Sequence, residues 1–92
     1  MTEQTSFYPI GQNFFIRTVT YILVGTIVDV GPQEILLTNA SWVADTGRYA
    51  NAIKDGTLEE VEPYPDDQLV VVGRGSVIDA TAWNHPLPRM QK

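Results

Sequence analysis

Apolar residues along this chain come in bursts, and the spacing inside each burst sets the element it predicts. From Phe14 to Val30 the sequence FFIRTVTYILVGTIVDV is crowded with β-branched and aromatic residues, which suit strands better than helix. The stretch is too long for one straight strand in a small domain. It predicts either a break near Val19–Tyr21 or a bend at Gly25, where a strand glycine marks a bulge or sharp curvature. Gly31-Pro32-Gln33 is a turn signal, and EILLTNASW follows as another strand, so 21–30 and 34–42 are expected to form an antiparallel hairpin. Near the other end, Leu69 to Val72 is wholly apolar, the pattern of a strand covered on both faces. Gly73-Arg74-Gly75-Ser76 interrupts it, and Val77 to Ala82 resumes as a second strand ending at Trp83.

Between these groups the pattern changes. Asp45 or Thr46 can cap a helix, Tyr49, Ala52 and Ile53 recur at roughly helical spacing, and Asp55-Gly56 is a stop signal. The next stretch, TLEEVEPYPDDQ, is acidic and proline-punctuated and reads as a solvated loop. The amino-terminal residues 1–13 read as a polar arm or short turn, in which Phe7, Tyr8 and Ile10 can dock on a surface. The tail, 84–92, carries two prolines and reads as irregular and exposed.

These elements describe a single domain: an arm (1–13), three strands (14–41), an insertion with a short helix and acidic loop (42–67), two strands (68–83) and a tail (84–92). The expected fold class is mainly β, a small, strongly bent barrel of five strands with a short helix between strands three and four. A two-sheet sandwich usually needs about seven strands. An exposed apolar edge such as LVVV invites pairing with another chain. A chain of 92 residues also buries a modest core by itself. Both arguments predict a homo-oligomer joined along strand edges.

Composition narrows the function. There are 11 acidic and 6 basic residues, a net charge of −5, no cysteine and one histidine, His85. The sign argues against wrapping DNA or RNA over a broad surface, because such binding rests on many Lys and Arg contacts to phosphate. No DNA partner is expected. Without cysteine there is no disulfide framework and no thiolate zinc site. The acidic run at Glu59, Glu60, Glu62, Asp66 and Asp67 fits no EF-hand spacing, and no metal or other cofactor is expected. The apolar run from Tyr21 to Val30 is too short to cross a bilayer, which takes about 20 residues. The first residues lack the basic start and apolar core of a signal peptide, so a cytoplasmic location without membrane contact is expected.

Two motifs give the chain a likeness. YILVGTIVDVGPQEILLTNA is similar to the first signature of the Sm-like family, which includes the Sm and LSm proteins and the bacterial Hfq proteins, with Gly25, Ile27 and Ile35-Leu36-Leu37 in the matching places. VVVGRGSVIDA is similar to the second signature, with Arg74-Gly75 as its Arg-Gly turn and Val77 as the apolar residue beyond. Within that family the chain resembles Sm-like proteins of phage origin, which would act in the host cytoplasm. The resemblance implies a five-stranded bent barrel in a ring of about five to seven copies, with the fourth strand of one copy pairing with the fifth of the next. Here the interface would be Leu69, Val70, Val71 and Val72 against Val77, Ile78, Asp79 and Ala80. It also implies RNA bases held on the inner rim by an aromatic residue, an asparagine and the motif arginine. Arg74 and Gly75 match that set. Gln33 and Glu34 occupy the place of the asparagine, and the loop Val30-Gly31-Pro32 contributes no aromatic.

Candidate chemistry is sparse. Ser76, His85 and Asp79 can be imagined as a triad, but no strand-turn-helix context for a nucleophile surrounds Ser76. Trp42, Tyr49 and Trp83 read as core or interface residues. Arg74 has two readings, a ligand contact or an ion pair with a neighbour's carboxylate such as Asp79. The chain therefore reads as a non-enzymatic, ring-forming protein that binds single-stranded RNA or a nucleotide. The alternative is a structural ring module whose partner is protein.

Overall fold

The computed structural model describes residues 7–92; Met1 to Ser6 of the predicted arm lie outside the described residues. The chain folds as one antiparallel sheet with a short helix. Its strands are β1 (Asn13–Thr18), β2 (Ile22–Val30), β3 (Glu34–Asp45), β4 (Glu60–Pro63), β5 (Val70–Gly73) and β6 (Val77–Ala82). The helix α1 (Tyr49–Asp55) lies between β3 and β4, and a single 3-10 turn at Arg74–Ser76 joins β5 to β6.

The strand order is β4-β3-β2-β1-β6, with β5 on the other half of the same edge of β3. Residues Glu34–Leu37 of β3 pair with β5, and Ser41–Asp45 pair with β4. The expected hairpin of β2 and β3 forms, in register Ile22↔Val43 through Val30↔Ile35. Both features predicted within the long apolar stretch are present. The chain turns at Val19–Tyr21, with Thr20 at φ 91°, and the β2–β3 register slips beside Gly25. There β2 and β3 come so close that a Cβ on Gly25 would sit 3.0 Å from the Ala40 Cα.

The sheet is buried on both faces, because β1 and β2 carry apolar side chains on both. Phe14, Ile16, Leu23, Ile27, Ile35, Leu37 and Val72 form the inner layer, onto which Val77 and Ala80 of β6 also pack. Since Val72 comes from β5 and Val77 from β6, the sheet bends until its two ends meet one cluster. The two strands do not pair with each other, and the sheet stays open. Phe15, Val24, Val43, Val61 and Trp83 form the outer layer, covered by Ala52 and Ile53 of α1 and by Leu58 and Leu87.

Four expectations need correction. The acidic stretch is not a plain loop: Val61 is buried while Glu60 and Glu62 face water, a period-two alternation that makes β4 and raises the strand number from five to six. With β3 running to Asp45, the supposed insertion from residue 42 begins inside a strand. The helix is capped neither by Asp45 nor by Thr46; Arg48 is the N-cap residue, and Asp45 instead accepts the Gly47 N–H at 2.8 Å. Gly56 does end it, at φ 77°. The tail is irregular but docked: Lys92 and Val61 exchange backbone hydrogen bonds of 3.0 and 3.1 Å, and Ser41 donates to the Pro88 carbonyl at 3.0 Å.

Candidate functional site

The 3-10 turn that carries Arg74 lies against the β2–β3 loop. Gly73 pairs with Glu34, so the next residue is delivered beside the loop, and the Arg74 N–H donates to the Gln33 carbonyl at 2.8 Å. The guanidinium reaches across and donates from Nη1 to the Gly31 carbonyl at 2.7 Å. Arg74, Gly75, Gln33 and Glu34, chosen from two distant motifs, therefore share one exposed rim. Among the described residues Arg74 has no ion-pair partner.

An aromatic from the arm lies at this rim. Tyr8 lies under Arg74, with the guanidinium carbon 5.7 Å from the ring centroid, and tilts against Phe14 at 5.4 Å. Hydrogen bonds from Gly11 N–H to the Ile27 carbonyl (2.8 Å) and from Ile27 N–H to the Gln12 carbonyl (2.9 Å) hold this segment along β2. The apolar trio Phe7, Tyr8 and Ile10 was the available signal; its partner was not legible. Phe7 and Ile10 are exposed.

Gly73 and Gly75 do not act by permitting a reversal. Neither has a positive φ, and a Cβ at either would meet nothing within 4 Å. The turn is closed by Ser76 Oγ, which donates to the Gly73 carbonyl at 2.8 Å. The two glycines instead leave the surface on either side of Arg74 bare.

On either side of the turn run two unpaired edges. Among the described residues β5 pairs only with β3, and β6 only with β1. The residues expected at a seam divide by exposure. Leu69 (56% exposed, just before β5), Val71 (65%) and Ile78 (63%) face solvent, whereas Val70, Val77 and Ala80 are half-buried and Val72 is in the core. β5 is thus covered on one face, not both. Asp79 is held within its own chain by Arg17, which donates from Nε to Oδ1 at 2.8 Å and from Nη2 to Oδ2. The hydrogen-bonded guanidinium holds the Asp79 carboxyl below the ordinary carboxylate range, and the same bond raises Arg17.

The imagined triad is dispersed. Ser76 closes its turn and Asp79 holds Arg17. His85 packs edge-on against Trp83, with ring centroids 4.8 Å apart, and its Nε2 is 2.8 Å from the Ile53 carbonyl. Because a carbonyl only accepts, that contact puts a proton on Nε2. Trp83 is a core residue stacked on Phe15 at 5.3 Å, whereas Trp42 and Tyr49 are 43% and 39% exposed. Among the described residues no His, Asp and Glu group could hold a metal ion, and no helix is long and apolar enough to cross a membrane.

No protein-family model matches the chain, and it has no match among curated proteins or solved structures. The fold and the rim geometry carry the functional reading.

Proposed function

We propose that this chain is an Sm-like barrel that assembles into a ring of about five to seven copies by pairing β5 of one copy with β6 of the next. The observation that carries the proposal is the pair of unpaired strand edges on either side of Arg74, with Val71 and Ile78 exposed along them. Pairing those edges satisfies their free N–H and C=O groups and covers apolar surface that a lone copy leaves in water. The ring repeats the Arg74 turn once per copy.

At each repeat, Arg74, the Tyr8 ring and the Gln33 amide supply a cation, a stacking face and a base-edge reader, the combination that suits an unpaired nucleotide. Supporting this reading, Arg74 meets the Gln33 backbone and the half-buried Tyr8 ring, which come from separate segments, at one rim. A second reading, a ring whose partner is protein, draws on exposed Glu34 at the same rim and on the net charge of −5, both of which oppose phosphate.

Two measurements test the proposal. Native mass spectrometry is expected to show a closed oligomer; a clean monomer overturns the ring. Fluorescence anisotropy with short poly-U and poly-A RNA at two salt concentrations tests the rim. Binding that weakens with salt and is lost in Arg74→Ala supports the nucleotide reading; unchanged anisotropy leaves the protein-partner ring.

A further inference from the structure

Away from the rim, a groove of about 510 Å³ opens at the end of the inner face, lined by Tyr21, Trp42, Glu62, Pro63, Tyr64 and Pro65. The residues come from the β1–β2 turn, from β3 and from β4 with the segment after it. Trp42 stands directly across the β3–β4 ladder from Glu62. Tyr21 is 50% exposed, and among the described residues none of the three rings packs on another ring.

The wall of the groove is fixed before any ligand arrives. Tyr64 donates its N–H to the Ala40 carbonyl at 2.9 Å, and its own carbonyl accepts Arg89 Nη2 at 2.7 Å. Arg89 also pairs with Asp66 at 2.7 Å. Among the described residues Glu62 receives no cation, and its carboxylate accepts only the Gln91 amide, at 3.0 Å. Trp83 donates its indole N–H to the Pro86 carbonyl at 3.2 Å, but that of Trp42 donates to no protein acceptor among the described residues.

We infer that this groove docks an extended, proline-rich segment of a partner protein that bears a basic residue. A polyproline helix has no internal hydrogen bonds, so its carbonyls are open to a donor such as the Trp42 indole N–H. Its pyrrolidine rings lie flat against aromatic faces, and it loses little entropy on binding because it is already extended. The uncompensated Glu62 carboxylate selects the sign of the charged residue, in a protein of net charge −5. The same carboxylate disfavours a nucleic acid, whose bases also stack on Tyr and Trp. The groove shares no lining residue with Arg74, Gly75, Gln33 or Glu34.

The test is a titration of the full chain with four probes, read by tryptophan emission and by amide chemical shifts. The probes are a short proline-rich peptide with one arginine, the same peptide with glutamate for arginine, one with alanine for every proline, and a short poly-U RNA. Trp42→Phe assigns the emission change, since Trp83 is buried. The arginine peptide is expected to saturate below about 1 mM, and Trp42→Ala to weaken it by about 10-fold or more. Glu62→Gln is expected to erase the preference for arginine over glutamate. The inference is overturned if the proline-free peptide binds equally, if Glu62→Gln changes nothing, or if no peptide saturates. It is also overturned if RNA, or a second copy of the chain, occupies the Trp42 face. The peptide comparisons use the unaltered protein and so stand even if a variant misfolds.

Discussion

Arg17 and Asp79 face each other across the β1–β6 ladder as a direct register pair, and the guanidinium grips both carboxylate oxygens. The Arg17 guanidinium also lies 4.8 Å from the centroid of the Tyr49 ring. One exposed cation therefore links the edge strand β6, the strand β1 and the helix α1. It also fixes which partners Asp79 serves: a neighbour's Arg74, proposed from sequence as its seam partner, would have to displace Arg17.

The depressed Asp79 carboxyl gives a pH dependence of definite sign. Because its folded-state value lies below its unfolded one, the pair's contribution is present above the unfolded value of about 3.9 and is lost as pH falls through the folded value. Thermal melts of Asp79→Asn and wild type are expected to differ at neutral pH and to draw together as pH falls below about 3.9. The difference should be small and should shrink in high salt, since both groups are exposed. A gap that widens in acid contradicts the assignment.

Gly25 is a matter of space, not of backbone angle. A methyl there meets the Ala40 Cα, the Ala40 Cβ and the Thr38 carbonyl at 3.0 to 3.2 Å, and two of those atoms are backbone. Gly25→Ala is expected to cost about 1–3 kcal/mol in urea unfolding, the range of an overpacked core. A neutral result would mean that β2 and β3 separate locally without loss.

Gly56 combines both constraints. At φ 77° a side chain is strained, and its Cβ would lie 2.7 Å from the His85 Cγ. Gly56→Ala is expected to cost about 1–2 kcal/mol for conformation, plus the collision. In a His85→Gly background, which also removes the His85 Cβ that would lie 2.8 Å away, only the first part remains, so a double-mutant cycle should give a coupling energy. Strict additivity would show that the ring moves aside freely.

Val71 and Ile78 carry the proposed seam. Each side chain is exposed, so Val71→Lys or Ile78→Lys should leave the fold intact, as judged by circular dichroism and melting temperature. Charge on an edge strand opposes pairing. The oligomer seen by native mass spectrometry is expected to dissociate in either variant. An unchanged oligomer would place the contact elsewhere.

What was legible in the sequence were features whose cause is local. The β2–β3 hairpin follows from a turn signal between two β-branched runs, and the end of α1 follows from Gly56. The strand β4 was hidden because two glutamates and a proline make up the rest of its four residues, while its single buried residue, Val61, gives too short a period to notice. The rim needed two motifs to meet, a meeting implied only by the resemblance to the Sm-like family; Tyr8 joins it by tertiary packing alone. The groove was illegible, since Tyr21, Trp42 and Tyr64 are far apart in the chain and become neighbours only through the long β3.

That long strand has a further consequence. β3 pairs with β2 along its length, with β5 over one half and with β4 over the other. It also contributes Ile35, Leu37 and Ala40 to one apolar layer and Val43 to the other. Loosening it anywhere releases both layers together. The two cores should therefore melt as one cooperative unit, with the β3 amides among the last to exchange their hydrogens.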